Sequence, residues 1–358
     1  MTLEIPKPYP DPAVHETMFV NGLKRFPERK TNYERFKKAK REAIIDYMPV
    51  MMDIEPSSRC NFRCIMCQVS DWPKGKRADD MTFSDFKQLL DVLWGLVEIK
   101  IQGLGEPLLN HDIFKMISFA QERDIWTRLT VNGSLLHVNE NYKRLIDSNP
   151  GEVQVSIDAA NKDIFEKIRK GANFDQIVQN TTELNNYEQK QNLLKTRCWS
   201  VVQKLNTGQL KDIVKLGAKM KFRRMTFSLA VSYYGNDIWT QKNKSIEVKD
   251  ELSEEIFEEL IEEGNKYGIE VTFWDSEAKY ELDGDDLQKR CSWLWERSFI
   301  SSDLRIVPCC VFSNPDMMDL GSAINYSDNW NNVLFQNLRK AHIKGNIPAF
   351  CKQCYGIT

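Results

Sequence analysis

The 358 residues are 42% hydrophobic and 28% charged, with 49 basic side chains against 51 acidic and a formal charge of −2. Neither half of the chain is strongly basic, which excludes the electrostatic footprint of a nucleic-acid or anionic-membrane partner. The length suits one large domain with a smaller one, or a barrel with an extension. Residues 1–17 are proline-rich and polar, and no apolar run reaches the roughly 18 residues of a membrane span, so no signal peptide is expected and the location reads as cytoplasmic. In that compartment the nine cysteines are expected as metal ligands or catalysts rather than disulfides.

Three stretches are expected: an extension over 1–48, a large domain over 49–275 and a cysteine-organised module over 276–358. The extension holds one helix, 32–47, and its basic run from Arg25 to Arg41 is interleaved with Glu28 and Glu34, as on a solvated helix face. Strands are then expected at 50–55, 97–103, 126–131, 152–158, 196–203 and 225–230. Helices fall between them at 82–94, 111–123, 140–148, 162–169, 174–189 and 208–220. A further helix, 249–267, and a strand, 269–274, close the series, and 283–286 reads as a turn or linker. Successive βα units make a parallel sheet, because parallel strands need long crossovers. Residues 152–158 alternate strictly, with Val153, Val155 and Ile157 on one face and Gln154, Ser156 and Asp158 on the other. A flat sheet covered on both sides would be apolar on both faces. The fold class is therefore α/β, a partial (β/α)6 TIM-like barrel with a wet lumen and a small α+β module at its C-terminal end. In such barrels function gathers at the C-terminal strand ends.

Cys60, Cys64 and Cys67 follow the first strand in a C-x3-C-x2-C triplet. Three thiolates so close can ligate three irons of a [4Fe–4S] cluster and leave the fourth open to a chelating substrate. Zinc is the rival, but no further Cys or His lies between Gln68 and Asn110 to complete a tetrahedral site. The triplet resembles the signature of the radical S-adenosylmethionine (SAM) superfamily. The resemblance continues through Gly103-Leu104-Gly105-Glu106-Pro107, Thr130-Val131-Asn132-Gly133, Val155-Ser156-Ile157-Asp158, Ile168-Arg169-Lys170-Gly171 and Asn206. It implies SAM bound by Met66, Gly103, Gly105, Glu106, Pro107, Asn132, Ser156 and Asp158. Glu106 would accept from the methionine ammonium, and the Met66 backbone would meet adenine. Glycines let backbone approach a ligand closely. Met66 stands where relatives often have an aromatic residue, and Val131 is inserted in the Thr-Asn-Gly turn.

Five more cysteines lie in the tail: Cys291, Cys309, Cys310, Cys351 and Cys354. Residues 298–302 and 304–308 read as a hairpin turning at Asp303, and a helix covers 333–343. Pro308-Cys309-Cys310, Leu320-Gly321, Trp330-Asn331, Arg339 and the terminal C-x2-C resemble the SPASM/twitch extension of radical SAM enzymes. The resemblance implies one closed auxiliary [4Fe–4S] cluster on Cys291, Cys309, Cys351 and Cys354. Cys309, which follows Pro308, is taken as the ligand rather than Cys310, and a structural zinc on the same four thiolates is the rival. Leu304 replaces the glycine usual at the hairpin tip, which centres the turn differently.

The same resemblance implies the reaction. A reduced cluster cleaves SAM, and the 5′-deoxyadenosyl radical takes a hydrogen atom from substrate. A flavodoxin- or ferredoxin-type protein supplies the electron. With an auxiliary cluster to accept the second electron, oxidation of a small polar, sugar- or cyclitol-like substrate is the first expectation. Epimerisation is the alternative, with Cys198 or Cys310 as hydrogen donor, the two thiols the clusters leave spare. Peptide maturation by crosslinking or epimerisation is the other. The 48-residue extension is too short for the winged-helix leader-binding domain of many peptide-modifying relatives. Tyr233, Tyr234 and Trp239 are read as packing aromatics that stand near the substrate mouth. A plain iron–sulfur electron carrier or zinc module accounts for the cysteines but not for the strand-end motifs.

Overall fold

The computed structural model describes residues 5–72, 80–275, 279–282, 284 and 286–357; of the expected turn at 283–286, positions 283 and 285 lie outside the described residues. Seven parallel strands follow one another in sequence order: β1 (Met51–Ile54), β2 (Glu98–Ile101), β3 (Trp126–Val131), β4 (Glu152–Ser156), β5 (Thr196–Val201), β6 (Arg224–Ser228) and β7 (Glu270–Trp274). Their helices cover the outer face. Outward residues are apolar, Ile99 and Ile101 on β2 and Val153 and Val155 on β4, all fully buried. The alternate residues Glu98, Lys100, Gln102, Gln154 and Ser156 line an interior cavity. This is a partial TIM barrel, and the strict alternation of β4 reports its lumen.

The tail extends the sheet of the barrel. Strand β8 (Phe299–Ile300) pairs in parallel with β1, Asp53 opposite Phe299, and β9 (Ile306–Val307) returns antiparallel to it. The expected hairpin forms at the expected place. Leu304 itself takes the left-handed conformation, φ +64°, so the turn stays centred where a glycine is usual. Glu55 ties tail to barrel: its carboxylate accepts from the backbone N–H of Leu104 (2.9 Å) and of Ser302 (3.2 Å).

The extension differs most from expectation. Instead of one helix over 32–47 there are two, Pro12–Arg25, capped by the Asp11 carboxylate, and Pro27–Lys38. Beyond Lys38 the backbone serves as acceptor for the tail rather than for its own helix. Trp295 Nε1 donates to the Glu42 carbonyl (2.8 Å), Asn331 Nδ2 to Ile45 (2.8 Å) and Trp330 Nε1 to Tyr47 (3.0 Å). Those bonds outweigh the modest helix propensity of the segment. The leading prolines close the lower end of the lumen: Phe273 N–H donates to the Pro6 carbonyl, and buried Arg197 bonds both the Tyr9 carbonyl (2.7 Å) and Glu152 (3.1 Å). Among the described residues no helix is long and apolar enough to cross a membrane.

Candidate active site

The lumen holds two adjoining lobes, of about 370 and 340 Å3. Asp53, Lys100, Trp199, Trp274, Cys310 and Cys354 border both. The upper lobe lies at the C-terminal strand ends, where Cys60, Cys64 and Cys67 form one wall. Their loop is fixed by backbone: Arg63 N–H donates to Lys170 (2.9 Å) and Ile65 N–H to Ile168 (3.0 Å). Burial pushes the Cys60 and Cys64 thiols up to about 12, so ligation by a metal centre must displace their protons.

Met66, Gly103, Gly105, Glu106, Asn132 and Ser156 also line the upper lobe. The glycines answer to protein packing rather than to ligand approach. A Cβ at Gly103 would stand 2.2 Å from Glu55 Cγ, and one at Gly105 would stand 2.1 Å from the Ser57 carbonyl oxygen. Glu106 is buried and held by backbone, accepting from the N–H of Asn132 (2.8 Å) and of Leu108 (3.3 Å). The Asn132 amide is already occupied by Asn61 (2.9 Å) and Ser134, so it braces the cysteine loop. The Met66 carbonyl takes two donors, Tyr234 Oη (3.2 Å) and Asn243 Nδ2 (3.0 Å). The Ser156 hydroxyl has no partner among the described residues and faces the lobe.

Two expected SAM residues stand behind the wall. Pro107 opens the short helix Pro107–Leu109 and packs inward. Asp158 is fully buried, accepts from Val201 N–H (2.8 Å) and pairs with Arg169 at 2.7 Å. Arg169, not Asp158, lines the lobe, with Cys64 in its field. Asn206 is likewise internal, clamping the Asp158 and Val201 carbonyls (2.7 and 2.8 Å).

Desolvation raises Glu106 to about 7, against 4.5 for an ordinary glutamate, despite its two backbone donors. If Glu106 meets the SAM ammonium, affinity tracks the ionised fraction, which rises with pH through that value. SAM binding is then expected to tighten about tenfold between pH 6 and pH 8, and Glu106→Gln to flatten the dependence. Equilibrium dialysis of wild type and variant at both pH values checks this; a wild-type curve as flat as the variant's would contradict it.

The lower lobe is lined by Cys291, Cys309, Cys351 and Cys354 together with Tyr280 and Tyr355. Cys309 lies in the field of Cys351 and Cys354, whereas Cys310 opens on both lobes. Among the described residues no three His, Cys, Asp or Glu side chains converge as closely as a single ion requires. Of the two spare thiols, only Cys310 reaches the lumen. Cys198 is fully buried among outward core residues, while its neighbours Trp199 and Val201 line the cavity. Tyr234 lines the upper lobe; Tyr233 and Trp239 are buried outside both.

A family model for the radical SAM superfamily matches residues 54–217, and one for the SPASM iron–sulfur cluster-binding domain matches residues 291–355. The chain is a radical SAM enzyme with a C-terminal SPASM domain. Radical SAM chemistry brings SAM and a [4Fe–4S] cluster, and the SPASM domain brings auxiliary iron–sulfur clusters. Among curated relatives, "Mycofactocin maturase MftC" of Mycolicibacterium smegmatis is 23% identical over 219 residues, 61% of this chain and 53% of that protein. "GTP 3',8-cyclase" of Aliarcobacter butzleri is 30% identical over 146 residues, 39% of this chain and 42% of that one. The chain thus spans about half the length of these first curated relatives. In fold it is similar to Streptococcus suis SuiB bound to S-adenosylmethionine (TM-score 0.64, 19% identity, 86% of this chain and 71% of that chain). It is also similar to native anSMEcpe with bound AdoMet and Cp18Cys peptide (TM-score 0.59, 17% identity, 86% and 88%).

Proposed function

We propose that this radical SAM enzyme is a peptide maturase that oxidises a side chain held between its two cysteine sets. One observation carries the reading: Cys60, Cys64 and Cys67 line one of two adjoining lobes and the four tail thiols line the other, with Cys354 on both. The cofactors would supply hydrogen-atom abstraction at one end and an outlet for the second electron at the other. The chain's residues do the rest. Glu106 and Ser156 present acceptors and a free hydroxyl to SAM, and Asp158 holds Arg169 against the cysteine loop. Trp199 and Trp274 wall the junction against water. The peptide assignment is supported by the maturase relative, whose match spans 61% of this chain. Cys291, Cys309, Cys351 and Cys354 on the wall of the lower lobe support one auxiliary cluster held by these four, with Cys310, which opens on both lobes, left as the spare thiol.

The test is anaerobic turnover with SAM and dithionite on short peptides encoded beside the gene, and on a panel of sugars and cyclitols, in deuterated water. Oxidation of a peptide appears as a mass loss of about 2 Da with one 5′-deoxyadenosine formed per event. The same loss on a polyol alone would overturn the peptide assignment and restore the small-substrate reading. A second reading rests on Cys310, the one spare thiol in the lumen. Epimerisation would show one deuterium gained, no loss of mass from oxidation, and abolition by Cys310→Ala.

A further inference from the structure

Lys100 stands at the junction of the two lobes, half-buried, and borders both. Sheet register places it between Asp53 on β1 and Arg128 on β3. Two cations directly opposite on neighbouring strands repel each other unless something of opposite charge lies between or beside them. Arg128 has its own answer in Glu98, 3.4 Å away. Lys100 has none: among the described residues no carboxylate comes within ion-pair distance of its ammonium, and nothing accepts a hydrogen bond from it. Asp53 is the acid whose field it feels most, but Asp53 is itself buried and faced by Arg297 at 3.9 Å.

Lys279 is the cation in the field of Cys291 and Cys354, lying against the rings of Trp274 and Tyr280. Of the cysteines, the one whose field Lys100 feels is Cys310, beside Cys309, and Cys310 feels Lys279 as well. Desolvation holds the Lys100 amine below an ordinary lysine's value, and an arriving anion would restore its charge. A half-buried ammonium on the wall of a ligand cavity, with no partner among the described residues, is a recognition group waiting for one.

We infer that the substrate carries an oxyanion, a carboxylate or a phosphate, that pairs with Lys100 at the junction of the lobes. This rests on the cavity being where substrate lies. It adds that the reacting carbon sits near an acidic group: an aspartate, glutamate or C-terminal carboxylate in a peptide, or a phosphate ester in a small molecule. Lys100 is then a binding and positioning residue, with the anion as anchor and the upper lobe left for the target C–H.

Calorimetric titration of the reconstituted, SAM-saturated enzyme tests this with two probes, inorganic phosphate and glutarate, at constant ionic strength. Saturable binding of either is expected. Lys100→Met is expected to weaken it at least about tenfold, and Lys100→Arg, which keeps charge, to stay within about threefold. Asp53→Asn, which removes the competing acid, is expected to tighten it. Iron content of each variant equal to wild type certifies the fold. Saturation by glutarate alone names a carboxylate, and by phosphate alone a phosphate ester. Equal affinity in wild type and Lys100→Met, or no saturation by either probe, would overturn the inference. Weaker binding in Asp53→Asn would overturn it too, because Lys100 would then be Asp53's counter-ion. Oxyanion binding without peptide oxidation would sink the peptide assignment and leave this inference standing. Oxidation of peptides that carry no anionic group would do the reverse.

Discussion

A Cys64→Ala enzyme is expected to form 5′-deoxyadenosine at less than about a thousandth of the wild-type rate while keeping its fold. The fold should survive because the loop does not depend on the thiol. Its backbone is pinned by Arg63 and Ile65 to residues 168–170, and its Asn61 by Asn132. The chemistry should fail because three thiols line the upper wall and the removal of one leaves too few to hold three irons. Circular dichroism and a product assay on the same sample separate the two. More than a tenth of wild-type product, under strictly anaerobic conditions, would mean that Cys64 is not a ligand.

The second large effect falls on stability. Asp158→Ala strands Arg169, whose guanidinium is buried 2.7 Å from the lost carboxylate, and orphans the Val201 N–H as well. Breaking one side of a buried ion pair costs about 3–5 kcal/mol, because the remaining charge has no water to turn to. Urea unfolding should show a loss of that size, and Asp158→Ala/Arg169→Leu should recover much of it. A single-variant loss below about 1 kcal/mol would show that water already reaches Arg169. Because Arg169 lines the lobe beside Cys64, the single variant should also lose SAM affinity.

Much of this was legible in particular residues. The alternation of 152–158 announced a lumen, and the structure turns Gln154 and Ser156 into it. The two cysteine sets stand on adjoining lobes of the lumen, as their positions after β1 and beside the β8–β9 hairpin allow. What was not legible depends on contacts distant in sequence. Cys198 could not be oriented, because Arg197 and Gln203 put polar groups on the opposite face. The charge of Arg197 is in fact consumed at the lower end of the lumen by Glu152 and Tyr9, so the arginine face points inward and the cysteine outward. Residues 39–48 carry helix-compatible side chains, yet their carbonyls serve Trp295, Asn331 and Trp330, 253 to 286 positions away. The βα rhythm stops before the tail, so the pairing of its two short strands beyond β1 has no local signal. Lys100 had a signal that went unread: Glu98, Lys100 and Gln102 alternate with Ile99 and Ile101 as strictly as any residues on β4.

The most direct test of two clusters on adjoining lobes is iron and sulfide content after anaerobic reconstitution, for wild type and for Cys60/Cys64/Cys67→Ala. About eight irons falling to about four is expected, one cluster lost and the auxiliary one retained. About four falling to none would contradict it, leaving the lower lobe without iron and the proposed oxidation without its electron acceptor.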